Sequence, residues 1–213
     1  MPSIDVLIAF TLASLLLTIA PGPSNLYVMA RSISQGARGG LVAAAGLAAG
    51  SLVHVVATVL GLSVVFSHAP LLYTLIKLAG AIYLIYLGIS HWKSVDLGAS
   101  ATHGPANAKP LSVVFRESVI VEVTNPKTVL FFVAFLPQFV MPESGPVAQQ
   151  LLILGTIVTL SGLPCDLLVA LFSSKVSDWL ASHQRRQLIL QRVSGSILFA
   201  MGCYLIADEA RTA

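Results

Sequence analysis

TIAPGPSNLYVMA, residues 18–30, and VEVTNPKTVLFFVAFLP, residues 121–137, decide how this chain is read. Each places a helix-breaking proline inside a long apolar stretch. Gly22-Pro23 lies in a run without charge from Val6 to Ala30, and Asn125-Pro126-Lys127 lies between apolar flanks. A proline removes one helical hydrogen bond and clashes with the preceding turn. In hydrocarbon that loss is tolerated only where the freed backbone is buried in protein or lines a wet cavity. Broken helices at matching places in two halves are the sequence mark of a carrier's binding site.

The composition of the whole chain agrees. Hydrophobic residues make up 56% of the 213 and charged residues 10%, against roughly 25% charged in a soluble domain. A spanning helix needs about 20 mainly apolar residues. Six stretches qualify: 4–30, 40–66, 70–90, 117–139, 147–173 and 188–207. The expected fold class is an all-α integral membrane protein with six transmembrane helices, helices 1 and 4 being broken, in a single transmembrane domain over 1–213. Met1 to Asp5 lack the basic region that opens a signal peptide, so the first span is expected to remain in the mature chain. Cys165 and Cys203 both fall within spans and read as ordinary thiols rather than a disulfide framework.

The Lys and Arg residues set the orientation. Arg31, Arg38, Lys93, Lys109, Arg116, Lys175, Arg185, Arg186 and Arg192 lie on one side, and only Arg211 lies on the other. This positive-inside bias predicts both termini outside and the basic loops in the cytoplasm of a bacterial inner membrane. The net charge of +3 needs no nucleic acid, because basic loops beside anionic lipid account for it.

The connection over 91–115 is rich in Ala, Ser, Gly and Pro and reads as a flexible cytoplasmic linker. It divides the chain into repeat 1, about 1–90, and repeat 2, about 116–213. Three spans per half is an odd number, so the halves would be inverted repeats. They also share traces. Lys77-Leu78-Ala79-Gly80-Ala81-Ile82 parallels Arg192-Val193-Ser194-Gly195-Ser196-Ile197, and Gly50 to His54 parallels Gly162 to Asp166.

APGPSN at 20–25, KLAGAIYLIYLGI at 77–89 and TNPKTVLFFVAFLPQF at 124–139 resemble the lysine-exporter/homoserine-exporter (LysE/RhtB) family. The resemblance covers essentially the whole chain. It implies a secondary transporter that exports amino acids or close derivatives from a bacterial cytoplasm, driven by protons, and it leaves the substrate open. The implied partners are an amino acid, protons, the bilayer and a second copy in a homodimer, with no cofactor.

The breaks suit that function. Asn at N-cap with Pro at N1 is a good helix start, and Gly22-Pro23 can do the same. A helix start presents unpaired N–H groups and partial positive charge, which suits a substrate carboxylate. The expected substrate-binding residues are Pro21, Gly22, Pro23, Ser24, Asn25, Asn125, Pro126 and Lys127. Kinks without ligand contact are the alternative.

Glu122, Lys127 and Asp166 sit in apolar surroundings, where a charge costs about 2.5–3.5 kcal/mol on insertion scales and needs a partner. Glu122, Asp166 and His54 are expected to carry the proton or meet the substrate ammonium. Purely structural pairing of Glu122 or Asp166 with Lys127 is the other reading. Lys77 and Arg192 read as snorkelling side chains, and Gly46 with Gly50 as a close-packing motif. Two rival functions remain. A membrane-embedded enzyme lacks a Gly-x-Ser-x-Gly elbow, and a metal-ion exporter would have to draw on His54, Cys165, Asp166 and Cys203, which lack tight ligand spacing.

Overall fold

The computed structural model describes residues 2–19, 22–62, 70–93, 109–181 and 184–212. Their regular structure is helical. α1 (Ile4–Ile19) is followed by α2 (Pro23–Ala57), which runs into a π-helical turn, Thr58–Leu62. α3 (Pro70–Lys93) and α4 (Leu111–Val123) precede α5 (Pro126–Leu130), which continues as a π segment, Phe131–Phe135, and a 3₁₀ segment, Leu136–Phe139. After a 3₁₀ turn at Pro142–Ser144 come α6 (Val147–Ala181) and α7 (Gln184–Thr212). Large apolar side chains such as Leu60, Leu71, Ile82 and Leu168 face outward, as a surface in contact with lipid would require.

Both prolines start helices. Pro23 takes the first turn of α2 behind an extended Gly22. Asn125 caps α5, its side chain accepting from the Lys127 N–H at 3.1 Å, with Pro126 directly behind it. The segments on either side of this second break are bent by 46°.

A further break lies within α2. The sequence suggested a loop over 31–39, but helix persists on both sides of one residue, Gly36, at φ 69° and ψ −173°. The contacts show what that residue does. Along the first arm, Ser24 meets Glu122, Tyr27 meets Glu117, and Gln35 meets Lys109, so the arm runs antiparallel to α4. Along the second arm, Gly46 abuts Phe115 and Ser118, and Gly50 abuts Val119 and Glu122, so that arm runs parallel to the same helix. A Cβ on Gly40 would collide with Ser32 Oγ, whereas eight residues of straight helix separate such atoms by about 12 Å. The chain doubles back at Gly36. Only glycine adopts that backbone conformation readily.

The second arm packs antiparallel on α6, with Val55 against Gly155 and Ser51 against Thr159. α3 pairs antiparallel with α7 through small residues: Gly88 lies against Gly195, and Gly202 against Ala81. Gly46 and Gly50 are close-approach positions, as the spacing suggested. α1 is fastened by aromatic packing, Phe10 lying 5.8 Å from Phe131 and 4.9 Å from Phe139.

Two sequence expectations change. The linker over 91–115 is shorter, because α3 continues to Lys93 and helix resumes at Leu111 behind Pro110. Lys77 does not snorkel. It is 4% exposed and pairs with Glu209 at 2.9 Å, tying the start of α3 to the end of α7.

Candidate functional site

Glu122 stands in the last turn of α4, and the first turns of two other helices converge on it. Its carboxylate accepts the hydroxyl of Ser24, from α2, and that of Thr128, from α5, the latter at 2.9 Å. Asn125 Nδ2 donates to Ser24 Oγ at 2.8 Å. These residues are all at least nine-tenths buried. A buried carboxylate needs such donors, and here they come from both breaks.

Lys127 makes the reciprocal connection. Its ammonium lies 3.3 Å from the carbonyl oxygen of Leu17, in the last turn of α1. The final carbonyls of a helix lack helical partners and form its negative pole. A cation in the first turn of α5 is ill placed towards its own helix, and this contact offsets that. The next carbonyl, Thr18, accepts from Asn25 Nδ2 at 3.2 Å and from Cys165 Sγ at 3.6 Å. A Cβ on Gly22 would sit 3.2 Å from Lys127 Nζ, so glycine keeps this passage open.

Between these groups lies a cavity of about 70 Å³, space for about two waters at roughly 30 Å³ each. Ser24, Asn25, Glu122, Asn125, Lys127 and Asp166 line it, with Thr18, Ser51, Thr128 and Thr159 adding polar groups. Leu17, Leu47, Leu163 and Val158 supply apolar wall. Asp166 is half-buried and comes from α6, two residues past Pro164.

Of the residues expected from sequence, Ser24, Asn25, Asn125, Lys127, Glu122 and Asp166 share this one space. Gly22 borders Lys127, while Pro23 and Pro126 are exposed and act through the helix starts they impose. Pro21 lies outside the described residues. His54 lies on the far side of Glu122: its Nε2 is 3.1 Å from the Glu122 carbonyl oxygen, and its ring stacks on Phe132 at 5.4 Å. It lines a second cavity, of about 230 Å³, with Thr58, Gly61 and Phe132, where the two π segments meet. Such segments are frequent at functional sites.

Sequence reading missed Thr128, Ser51 and Thr159. Thr128 had a signal, since the third helical residue behind an N-cap projects into the same first turn. Ser51 and Thr159, 2.8 Å apart, had none beyond being hydroxyls in apolar spans. Among the described residues no three of His, Cys, Asp and Glu gather as a metal ligand set.

A model of the LysE type translocator matches residues 15–209, a range that holds both breaks and every group around the cavity. The chain belongs to this family. Among its relatives, a homoserine/homoserine lactone efflux protein of Salmonella typhimurium is 33% identical over 197 residues, 92% of this chain and 94% of that protein. A leucine efflux protein of an Enterobacter species is 29% identical over 151 residues, 71% of each chain. An uncharacterized membrane protein of Vibrio cholerae is 30% identical over 98% of both. No solved structure matches this chain. As a LysE type translocator the protein is a multi-pass membrane transporter and not an enzyme.

Proposed function

We propose that this LysE type translocator exports a small amino acid or a close derivative from the bacterial cytoplasm in exchange for protons, with the cavity between the two breaks as its substrate site. The observation that carries the reading is the convergence of Glu122, Lys127 and Asp166 on one small buried space. A zwitterion needs opposite charges a few ångströms apart, and this space supplies them. The substrate carboxylate takes the ammonium of Lys127 together with the positive end of the first arm of α2. The substrate ammonium takes Glu122 or Asp166, and the other carboxylate is left to carry the proton. The small volume favours compact substrates, in keeping with relatives named for efflux of homoserine and leucine.

The architecture we propose is one transmembrane domain of two inverted three-span repeats. Reciprocal contacts support it: the second residue of α2, Ser24, reaches the end of α4, and the second residue of α5, Lys127, reaches the end of α1. Lys77 and Arg192, matched between the halves by sequence, fall at opposite ends of the antiparallel pair of α3 and α7, beside Glu209 and Trp92. The charge bias supports an orientation with both termini outside and the linker in the cytoplasm. Homodimerisation remains part of the proposal.

The test is a substrate panel. Cells expressing the chain are loaded with dipeptides and the released amino acids are measured against cells lacking it. Faster release of at least one small amino acid, homoserine, threonine and leucine foremost, is expected. Unchanged release across the panel overturns the proposal.

A further inference from the structure

Seven residues beyond Ser24 on the first arm of α2, roughly 10 Å along its axis at 1.5 Å per residue, Arg31 is 7% exposed. Its guanidinium lies over the ring of Tyr27, 5.2 Å from the centroid. Two of its nitrogens, Nε and Nη1, are buried with no hydrogen-bond partner among the described residues. Buried donors on a permanent cation are costly to leave unanswered.

The neighbouring groups are engaged elsewhere. Glu117 accepts from Lys109 Nζ at 2.6 Å through one oxygen and from the Tyr27 hydroxyl at 2.8 Å through the other. Gln35 Nε2 donates to the Lys109 carbonyl at 2.7 Å. The Gln35 amide oxygen is itself buried without a partner. Arg31 and Gln35 are four residues apart and therefore share one face of the helix. One turn of α2 thus holds an unanswered cationic donor group and an unanswered neutral acceptor. Neither residue lines the cavity at the breaks.

We propose that Arg31 and Gln35 form a second binding station for the transported molecule, the guanidinium taking its carboxylate and the Gln35 oxygen its ammonium. The station lies on the same arm as Ser24, towards the start of α4, which Lys109 precedes by two residues. Substrate arriving from the basic side of the membrane would be held there before reaching Lys127 and Glu122. Tyr27 positions the guanidinium through its ring and is fixed in turn by Glu117. This station rests on the amino-acid reading given above.

The experiment has two arms. In proteoliposomes that exchange a labelled amino acid, R31Q is expected to raise the half-saturating substrate concentration about tenfold, as loss of a hydrogen bond to a charged group does. Q35L should raise it less. In detergent, sodium acetate is expected to raise the unfolding temperature of the unaltered protein above that in sodium chloride of equal ionic strength, and R31Q should shrink that rise. Because R31Q removes a buried charge whose Nε and Nη1 donors lack hydrogen-bond partners, it should unfold no earlier than the unaltered protein. R31K, which keeps the charge but not the planar donor set, should fall between the two and carries the test if R31Q fails to accumulate. Unaltered half-saturation together with an unaltered acetate effect in these variants overturns the station and leaves the transport proposal standing. If the unaltered protein exchanges no amino acid, the transport proposal fails. The acetate arm alone then decides whether Arg31 holds a carboxylate.

Discussion

The ammonium of Lys127 lies 3.3 Å from the carbonyl oxygen of Leu17, so the start of one broken helix holds the end of the other. This carbonyl is a backbone group, which cannot move without moving α1. A substrate carboxylate that competes for this ammonium would loosen the end of α1 as it binds. At the proposed site, binding and rearrangement of the break would then be linked through one side chain.

Replacing Lys127 with Met keeps most of the aliphatic stem and removes the charge. Export is expected to fall at least tenfold, roughly the worth of a hydrogen bond to a charged group, while abundance in the membrane stays near normal. Immunoblotting of membranes alongside vesicle transport separates these effects. Normal transport by K127M would remove Lys127 from the proposed site.

If export is proton-coupled as proposed, Glu122 and Asp166 are the carboxylates expected to carry the coupling. E122Q and D166N keep the shape but cannot titrate; in E122Q one acceptor oxygen becomes a donor, so the hydroxyl of Ser24 or Thr128 must turn to accept. At least one variant is expected to lose uphill export driven by a pH difference and still exchange labelled substrate at equal concentrations on both sides. If both build a full gradient, neither carboxylate is the coupling group, and His54 becomes the next residue to test.

Gly36 is predicted to resist replacement for backbone reasons alone. Nothing lies within 4 Å of a Cβ placed there, so only its φ of 69° resists substitution. G36A should cost about 1–3 kcal/mol, the usual strain of that region for a residue with a side chain. Gly61, which also has open space around it but no positive φ, is the control: G61A should unfold at or near the temperature of the unaltered protein. Equal melting of G36A and G61A in detergent would contradict the hairpin at Gly36.

Topology can be read with tags. One placed at Thr102 should be reached by reagents only from the cytoplasm, and tags at both termini only from outside. The nine-to-one distribution of Lys and Arg is the reason. A cytoplasmic C-terminus would end the inverted-repeat proposal.

The helix breaks were legible because proline acts locally: its missing N–H and fixed φ terminate a helix whatever packs against it. The apolar runs were legible because hydrocarbon imposes length and composition directly. Gly36 was not, since a glycine among polar residues between two spans reads as ordinary loop, and only the opposed directions of the two arms along α4 expose a one-residue reversal. Lys77 was misread for a related reason. Its partner Glu209 is 132 positions away, and no local pattern carries that pairing.

From the sequence alone came a membrane-embedded helical chain with two breaks, three intramembrane charges and the resemblance to LysE/RhtB exporters. Tertiary structure decided how those charges are held. Glu122 rests on hydroxyls from both breaks, and Lys127 on the end of α1 rather than on a carboxylate alone. Breaks follow from bonded geometry within a few residues. Partners follow from which helix ends meet, and that depends on close packing between segments about a hundred residues apart.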